Sequence, residues 1–272
     1  MAIKNKLNRT DLIKKLGKYP TGNICNAHSK VRAMDSRIAA LSPGMKLGGP
    51  AKTAAIIPGQ NAAIHRAIHN SRPGDILVVD GNKSLSYGPF GDILATCCQQ
   101  LGLSGLVIDS TVRDSSEIVD LGFPVFCLGT HPAATEKTDP GEIDIPIVCG
   151  GVNVHPDDII IADNDGVVVI PNLLIEEVLL GLMTVVEKEK KIMKRLKNGE
   201  TTCEIFKIKP WIINDDHAKL FCLSKSLIEW YWRLFNLGNG KDVIGGPKLH
   251  NINGFVIKVW VVLLGGCLTV KN

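Results

Sequence analysis

Three short apolar segments restrict this chain more than anything else in it: Ile76-Leu77-Val78-Val79-Asp80, Gly105-Leu106-Val107-Ile108-Asp109 and Val125-Phe126-Cys127. The first is continuously apolar, as a strand buried on both faces is, and it begins a strand, helix, strand, helix, strand series. Such alternation implies right-handed parallel crossovers, with loops gathered at the strand ends. Further on, Ile159-Ile160-Ile161-Ala162 and Val167-Val168-Val169-Ile170 flank Asp163-Asn164-Asp165-Gly166, a hairpin signal in which Asp-Gly supplies the positive-φ turn. Upstream, short strands around Leu41, 45–47 and 51–57 are separated by turns at Ser42-Pro43-Gly44 and Gly48-Gly49-Pro50. Helices are predicted from a Thr10-Asp11 cap to Gly17, over 21–27, over 61–70, and over 173–196, where Glu187 is spaced to pair with Lys191. The fold class is α/β.

At 272 residues and 45% apolar composition, the chain is long enough to bury a large core. Residues 1–207 carry 23 Lys and Arg against 23 Asp and Glu, whereas 208–272 carry 8 against 4, so the formal excess of +4 lies in the tail. A neutral body offers no basic stripe for nucleic acid, and the lysine-rich run 188–197 alternates with apolar residues as a solvated helix face does. The eight cysteines show no C-x-x-C spacing, which points to a reduced, cytoplasmic protein. Residues 1–20 lack the apolar centre of a signal peptide, and 255–264 is broken by Lys258, so a soluble protein with no membrane partner is expected. All four tryptophans (Trp211, Trp230, Trp232 and Trp260) lie beyond Ile208, where no helical or strand period is sustained. Residues 1–207 are therefore read as one domain and 208–272 as an atypical tail of open structure, either a partner-binding extension or adventitious sequence.

The chemistry-bearing residues cluster in 91–117. Gly91-Asp92-Ile93-Leu94 opens one helix, and Arg113-Asp114-x-x-Glu117 follows a strand and opens another that stops at Gly122. Asp followed three residues later by Glu has capping-box spacing, and on spacing alone the cap is the simpler reading. Carboxylates in a first helical turn at a sheet edge are also placed to hold a hard divalent cation, directly or through its waters, with Arg113 beside them for an anion. Free N–H groups after Gly91 form a carboxylate or phosphate site, and Gly88 and Gly91 let a ligand approach the backbone. His65 and His69 are spaced i, i+4 but lack an intervening carboxylate and a third ligand; Asp163 and Asp165 are most simply turn residues; Cys97-Cys98 has no paired base.

Taken in order, Pro73 to Asp80, Gly91-x-x-Leu94, Arg113-Asp114-x-x-Glu117, Gly122-Phe123-Pro124-Val125-Phe126 and Asp163-x-Asp165-Gly166-Val167-Val168-Val169-Ile170-Pro171 resemble the RraA-like family. That family comprises class II 4-hydroxy-4-methyl-2-oxoglutarate or 4-carboxy-4-hydroxy-2-oxoadipate aldolases and the regulators of ribonuclease activity A. The resemblance covers about residues 10 to 207. It implies a layered β/β/α fold of the swivelling-domain type with a central sheet, assembled as homotrimers or hexamers with active sites near subunit interfaces.

Carried over residue by residue, the resemblance implies that the amides of Gly91, Asp92, Ile93 and Leu94 bind a substrate carboxylate. Arg113 binds the 2-oxo oxygen, Asp114 the divalent metal (magnesium or manganese), Glu117 a metal-bound water, and Asp92 orients the water that moves protons. The implied reaction cleaves the C3–C4 bond of a 4-hydroxy-2-oxo acid and leaves a pyruvate enolate, which oxaloacetate decarboxylation also generates. Asn26-Ala27-His28 departs from the Asp-Ala-Leu of many relatives. The alternative the family implies is a non-catalytic regulator that binds an endoribonuclease. A methyl-transfer enzyme is not supported, because Gly48-Gly49 is not a glycine-rich loop between a strand and a helix.

Overall fold

The computed structural model describes residues 8–209, 248–252 and 255–259. The chain divides into two units, Met1–Ile205 and Phe206–Asn272. The elements in order are α1 (Arg9–Leu16), α2 (Thr21–Ala27), β1 (Arg32–Ala33), β2 (Ala39–Ala40), β3 (Leu47–Ala55), α3 (Ala62–His69), β4 (Ile76–Asp80), α4 (Asp92–Gln100), β5 (Gly105–Ile108), α5 (Ser115–Leu121), β6 (Val125–Cys127), β7 (Glu142–Ile143), β8 (Ile147–Cys149), β9 (Val152–Val154), β10 (Ile159–Asp163), β11 (Gly166–Ile170), α6 (Ile175–Lys197) and α7 (Thr202–Phe206). In the second unit, β12 (Lys248–Ile252) pairs antiparallel with β13 (Phe255–Val259).

The apolar segments form a parallel block: β3, β4, β5 and β6 lie side by side, linked through α3, α4 and α5. The predicted hairpin is β10–β11, with Asp163 opposite Gly166 and Gly166 at φ +133°. Together these strands build one nine-stranded sheet in the order β1-β11-β10-β3-β4-β5-β6-β2, with β7 added to β3. Because β2 at one end lies beside β11 near the other, the sheet curls back on itself.

Strand periodicity sorts the core into layers, since successive side chains leave a strand on opposite faces. Ile76, Val78, Val107, Phe126, Ile160, Ala162, Val167 and Val169 point into the curl, where the β8–β9 hairpin contributes Ile147, Cys149, Val152 and Val154. Their neighbours Leu77, Val79, Leu106, Ile108 and Val125 face outward beneath α3, α4 and α5. Ile159, Ile161, Val168 and Ile170 face outward beneath α1, α2 and α6. A strand buried on both faces has no polar position, which is why these runs lack alternation.

Three readings are corrected. Gly48-Gly49-Pro50 is not a turn: it lies inside β3, which pairs antiparallel with β10 through Pro50 and parallel with β4 from Ala51. Pro50 lacks a ladder donor and sits where the strand exchanges partners, while a Cβ on Gly49 would stand 2.2 Å from the Gly74 carbonyl oxygen. The first helix is capped by Asn8, whose side chain accepts from the Asp11 amide at 2.8 Å, rather than by Thr10-Asp11. The C-terminal unit contains a hairpin where no strand was expected, while Trp211, Trp230, Trp232 and Trp260 lie outside the described residues.

Asp163 has more than a local turn role. Besides the Asp165 amide, it accepts the Thr21 amide at 2.9 Å and the Thr21 hydroxyl at 2.6 Å, fixing the start of α2 on the hairpin tip. The predicted Glu187–Lys191 pair is present at 3.7 Å on α6. No helix among the described residues is long and apolar enough to cross a membrane.

Candidate active site

Two segments leave the same edge of the parallel block: residues 81–91, between β4 and α4, and residues 109–114, between β5 and α5. Carboxyl ends of parallel strands are where open α/β sheets present helix N-termini and loops to ligands. Here the two are joined by a close approach at one glycine. Gly91 precedes α4, and a Cβ there would stand 2.3 Å from Asp114 Oδ2 and 3.1 Å from Arg113 Cγ and Nε. A side chain there would force the Asp114 carboxylate to shift.

Asp114 is the residue before α5, but its backbone is left-handed (φ 54°, ψ 44°) and its side chain does not cap that helix. The capping-box reading therefore fails, since a cap requires extended backbone that folds the side chain over its own first turn. The carboxylate instead swings to α4, where Oδ2 accepts from the Asp92 amide at 3.4 Å and lies 3.3 Å from Arg113 Nε. A non-glycine residue in this conformation stores strain of about 1 kcal/mol or more, a common property of functional positions. Glu117 lies exposed in the first turn of α5.

The four amides from Gly91 to Leu94 are not equivalent. Asp92 N–H is turned to Asp114, and Ile93 N–H donates to Asp92 Oδ1 at 2.7 Å. The amides of Gly91 and Leu94, and the terminal nitrogens of Arg113, make no hydrogen bond among the described residues. Arg113 is half-buried, its own amide donating to the Phe90 carbonyl at 2.9 Å. A guanidinium fork with unengaged ends beside two unengaged amides at a helix N-terminus is suited to a carboxylate and an adjacent oxo oxygen. The structure thus brings together Gly91, Asp92, Arg113 and Asp114, with Ile93 and Leu94 following in the first turn of α4.

Sequence reasoning missed the groups beneath this arrangement. Asp109, Ser110 and Thr111 are all buried. Asp109 accepts from Gly81 N at 2.7 Å and Gly150 N at 3.2 Å; Ser110 Oγ donates to the Ser84 carbonyl at 2.7 Å; Thr111 Oγ1 donates to the Tyr87 carbonyl at 2.5 Å. Asn61 Nδ2 donates to the Pro89 carbonyl at 3.0 Å. The signal was a run of three polar residues extending an apolar strand, where polar atoms must find buried partners. Burial pushes the Asp109 carboxyl up to about 6, with Asp80 adding to the rise and the Gly81 and Gly150 amides opposing it.

Cys97 is exposed, and burial pushes the Cys98 thiol up to about 12, far from a thiolate nucleophile. Among the described residues no three His, Cys, Asp or Glu side chains gather as a metal cage, at His65 and His69 or elsewhere. The donor set of Asp114 and Glu117 suits a different kind of ion. Asp114, just before α5, and Glu117, exposed in its first turn, offer carboxylate oxygens, the donor type taken by a magnesium-like cation that keeps most of its waters.

A family model, RraA-like (Aldolase/RraA), matches residues 21–169, which include every one of these site residues. The chain belongs to the RraA-like family. This RraA-like chain is 37% identical over 169 residues to a Halalkalibacterium halodurans protein provisionally named 4-hydroxy-4-methyl-2-oxoglutarate aldolase, covering 62% of this chain and 80% of that one. A Geobacillus kaustophilus structure described as an S-adenosylmethionine:2-dimethylmenaquinone methyltransferase superposes with a TM-score of 0.53 at 30% identity, covering 56% of this chain and 95% of that one. The RNA-processing inhibitor RraA from Thermus thermophilis also superposes with a TM-score of 0.53, at 25% identity, covering 56% of this RraA-like chain and 93% of its own.

Proposed function

We propose that this RraA-like protein is a metal-dependent aldolase that cleaves 4-hydroxy-4-methyl-2-oxoglutarate, or a related 4-hydroxy-2-oxo acid, to pyruvate and a second 2-oxo acid. The observation that carries the reading is the fork of Arg113 beside the Gly91 and Leu94 amides, all without a partner among the described residues, with the Asp114 carboxylate turned toward them. The amides hold the C1 carboxylate and Arg113 meets the 2-oxo oxygen. As the C3–C4 bond breaks, its electrons move onto C3 and the 2-oxo oxygen gains charge as an enolate. Arg113 stabilises that oxygen, an effect for which one well-placed donor is typically worth about 10²–10³ in rate. Asp92, at the first position of α4, orients the water that takes the 4-hydroxyl proton and later protonates C3.

Asp114, with Glu117 acting through water, would hold Mg2+ or Mn2+, which when bound supplies Lewis-acid stabilisation of the same oxygen. No lysine Schiff base is required. Oxaloacetate decarboxylation is expected from the same residues because it yields the same enolate. Homotrimeric or hexameric assembly and a cytoplasmic location belong to this reading. Methyl transfer does not, because Gly48-Gly49 lies in mid-strand and offers no nucleotide loop.

The deciding experiment measures pyruvate release from 4-hydroxy-4-methyl-2-oxoglutarate with magnesium, with chelator, and in Asp114→Ala. Magnesium-dependent turnover abolished in the variant supports the aldolase. A folded oligomer without turnover under magnesium or manganese overturns it. The likeness to an RNA-processing inhibitor would then favour a regulator that binds an endoribonuclease, tested by inhibition of RNA cleavage.

A further inference from the structure

Residues 81–91 form an eleven-residue crossing whose only hydrogen bond between two of its own backbone groups is Ser84 N to the Gly81 carbonyl. Two non-glycine residues in it, Asn82 and Lys83, are left-handed at φ 54°. A segment of this length without a ladder samples many conformations unless groups outside it engage its backbone. Here they do: Asn61 donates to the Pro89 carbonyl and the Ala133 carbonyl takes Gly88 N, and four more come from one short stretch. Asp109 takes Gly81 N, Ser110 takes the Ser84 carbonyl, Thr111 takes the Tyr87 carbonyl and Arg113 N takes the Phe90 carbonyl.

Peptide planarity turns these bonds into aim. In a trans peptide the carbonyl and the following N–H point in opposite directions, so fixing one fixes the other. The plane between Tyr87 and Gly88 is gripped on both sides, by the Thr111 hydroxyl at the carbonyl and by the Ala133 carbonyl at Gly88 N, 2.8 Å away. The plane between Phe90 and Gly91 is gripped only at its carbonyl, by Arg113 N, which leaves Gly91 N–H directed away with no partner among the described residues. The unengaged amide and Arg113 are thus set by one strand extension.

We propose that Thr111, seconded by Ser110, is a positioning residue that holds residues 81–91 so that the Gly91 amide and the Arg113 fork converge on one anion. What that anion is rests on the aldolase reading; that the hydroxyls set the loop does not. Removing the Thr111 hydroxyl leaves the Tyr87 carbonyl without its donor and the peptide plane, four residues from the start of α4, held only at Gly88 N.

The test compares Thr111→Val, which keeps the shape and deletes the donor, with Thr111→Ser, which keeps the donor. In Thr111→Val, KM for 4-hydroxy-4-methyl-2-oxoglutarate is expected to rise about tenfold with kcat within about twofold, since lost ground-state positioning appears in KM. Amide hydrogen exchange over 81–94 should quicken about tenfold, with exchange in β4 and β5 unchanged. Thr111→Ser should restore both. The proposal is overturned if exchange in 81–94 is unaltered in Thr111→Val, if quickening is uniform across the chain, or if serine fails to rescue. Should the valine variant not fold, Ser110→Ala is read by the same exchange measurement. Absence of turnover in the unmodified protein would sink the aldolase reading, while the exchange comparison still decides the role of Thr111.

Discussion

Gly91 is the point at which a single missing methyl group lets two helix starts meet. Gly91→Ala would drive a Cβ into Asp114 Oδ2, displacing the carboxylate and the Arg113 side chain by about an ångström, so kcat/KM should fall about 10²-fold with the circular dichroism spectrum unchanged. Asp109 offers a pH signature. Its folded-state value near 6 exceeds the ordinary value of 3.8, so the folded protein holds the extra proton between them. The stability this group contributes is full below the unfolded value and is lost as pH rises through about 6, a fall of about 3 kcal/mol. Because the unfolded carboxyl is already about half ionised at pH 4, urea titrations at pH 4 and pH 7 should show a fall of about 2 kcal/mol in the unmodified protein and a smaller one in Asp109→Asn. At this scale the sequence was half legible. Arg113, Asp114 and Glu117 stand out as a cation and two carboxylates at a helix start. The left-handed backbone that swings Asp114 to α4 depends on what packs against it, and no spacing rule encodes that.

Among the elements, α6 and α2 show where local preference and tertiary fit disagree. Gly181 lies inside α6, where alanine is the better helix former by about 1 kcal/mol. Yet a Cβ at Gly181 would stand 2.2 Å from the Ala27 carbonyl oxygen at the end of α2. Gly181→Ala should therefore destabilise by about 1–3 kcal/mol, lowering the urea midpoint, against the sign that propensity gives. The hairpin β10–β11 and the parallel run were legible because a strand buried on both faces leaves an unmistakable apolar run. The interior of β3 was not. Glycine and proline usually punctuate, and only the backbones crowding Gly49 and the change of partner at Pro50 explain why here they continue a strand. Ser110 and Thr111 were illegible for a related reason: a short polar side chain looks like loop until the carbonyl it serves is known.

At the scale of the whole molecule, the three layers of core formed by the described residues are drawn from between Leu12 and Val186. A chain ending after Lys207 is thus expected to unfold in one cooperative transition with a Tm within about 2 °C of the full-length protein, as calorimetry would show. Composition marked the change of character near this boundary, but the curl of the sheet left no trace in any one segment, because it arises from strands far apart in sequence. The exchange of partners within β3 also sets an order in time. Its second half pairs with β4, made soon afterwards, whereas its first half must wait for β10, about a hundred residues later. At ribosomal speeds of about 5–20 residues per second, that half remains an open edge for roughly 5–20 s. Two glycines and a proline make it a poor template for stray pairing in that interval, so Gly48-Gly49-Pro50 protects the nascent chain until its proper neighbour is synthesised.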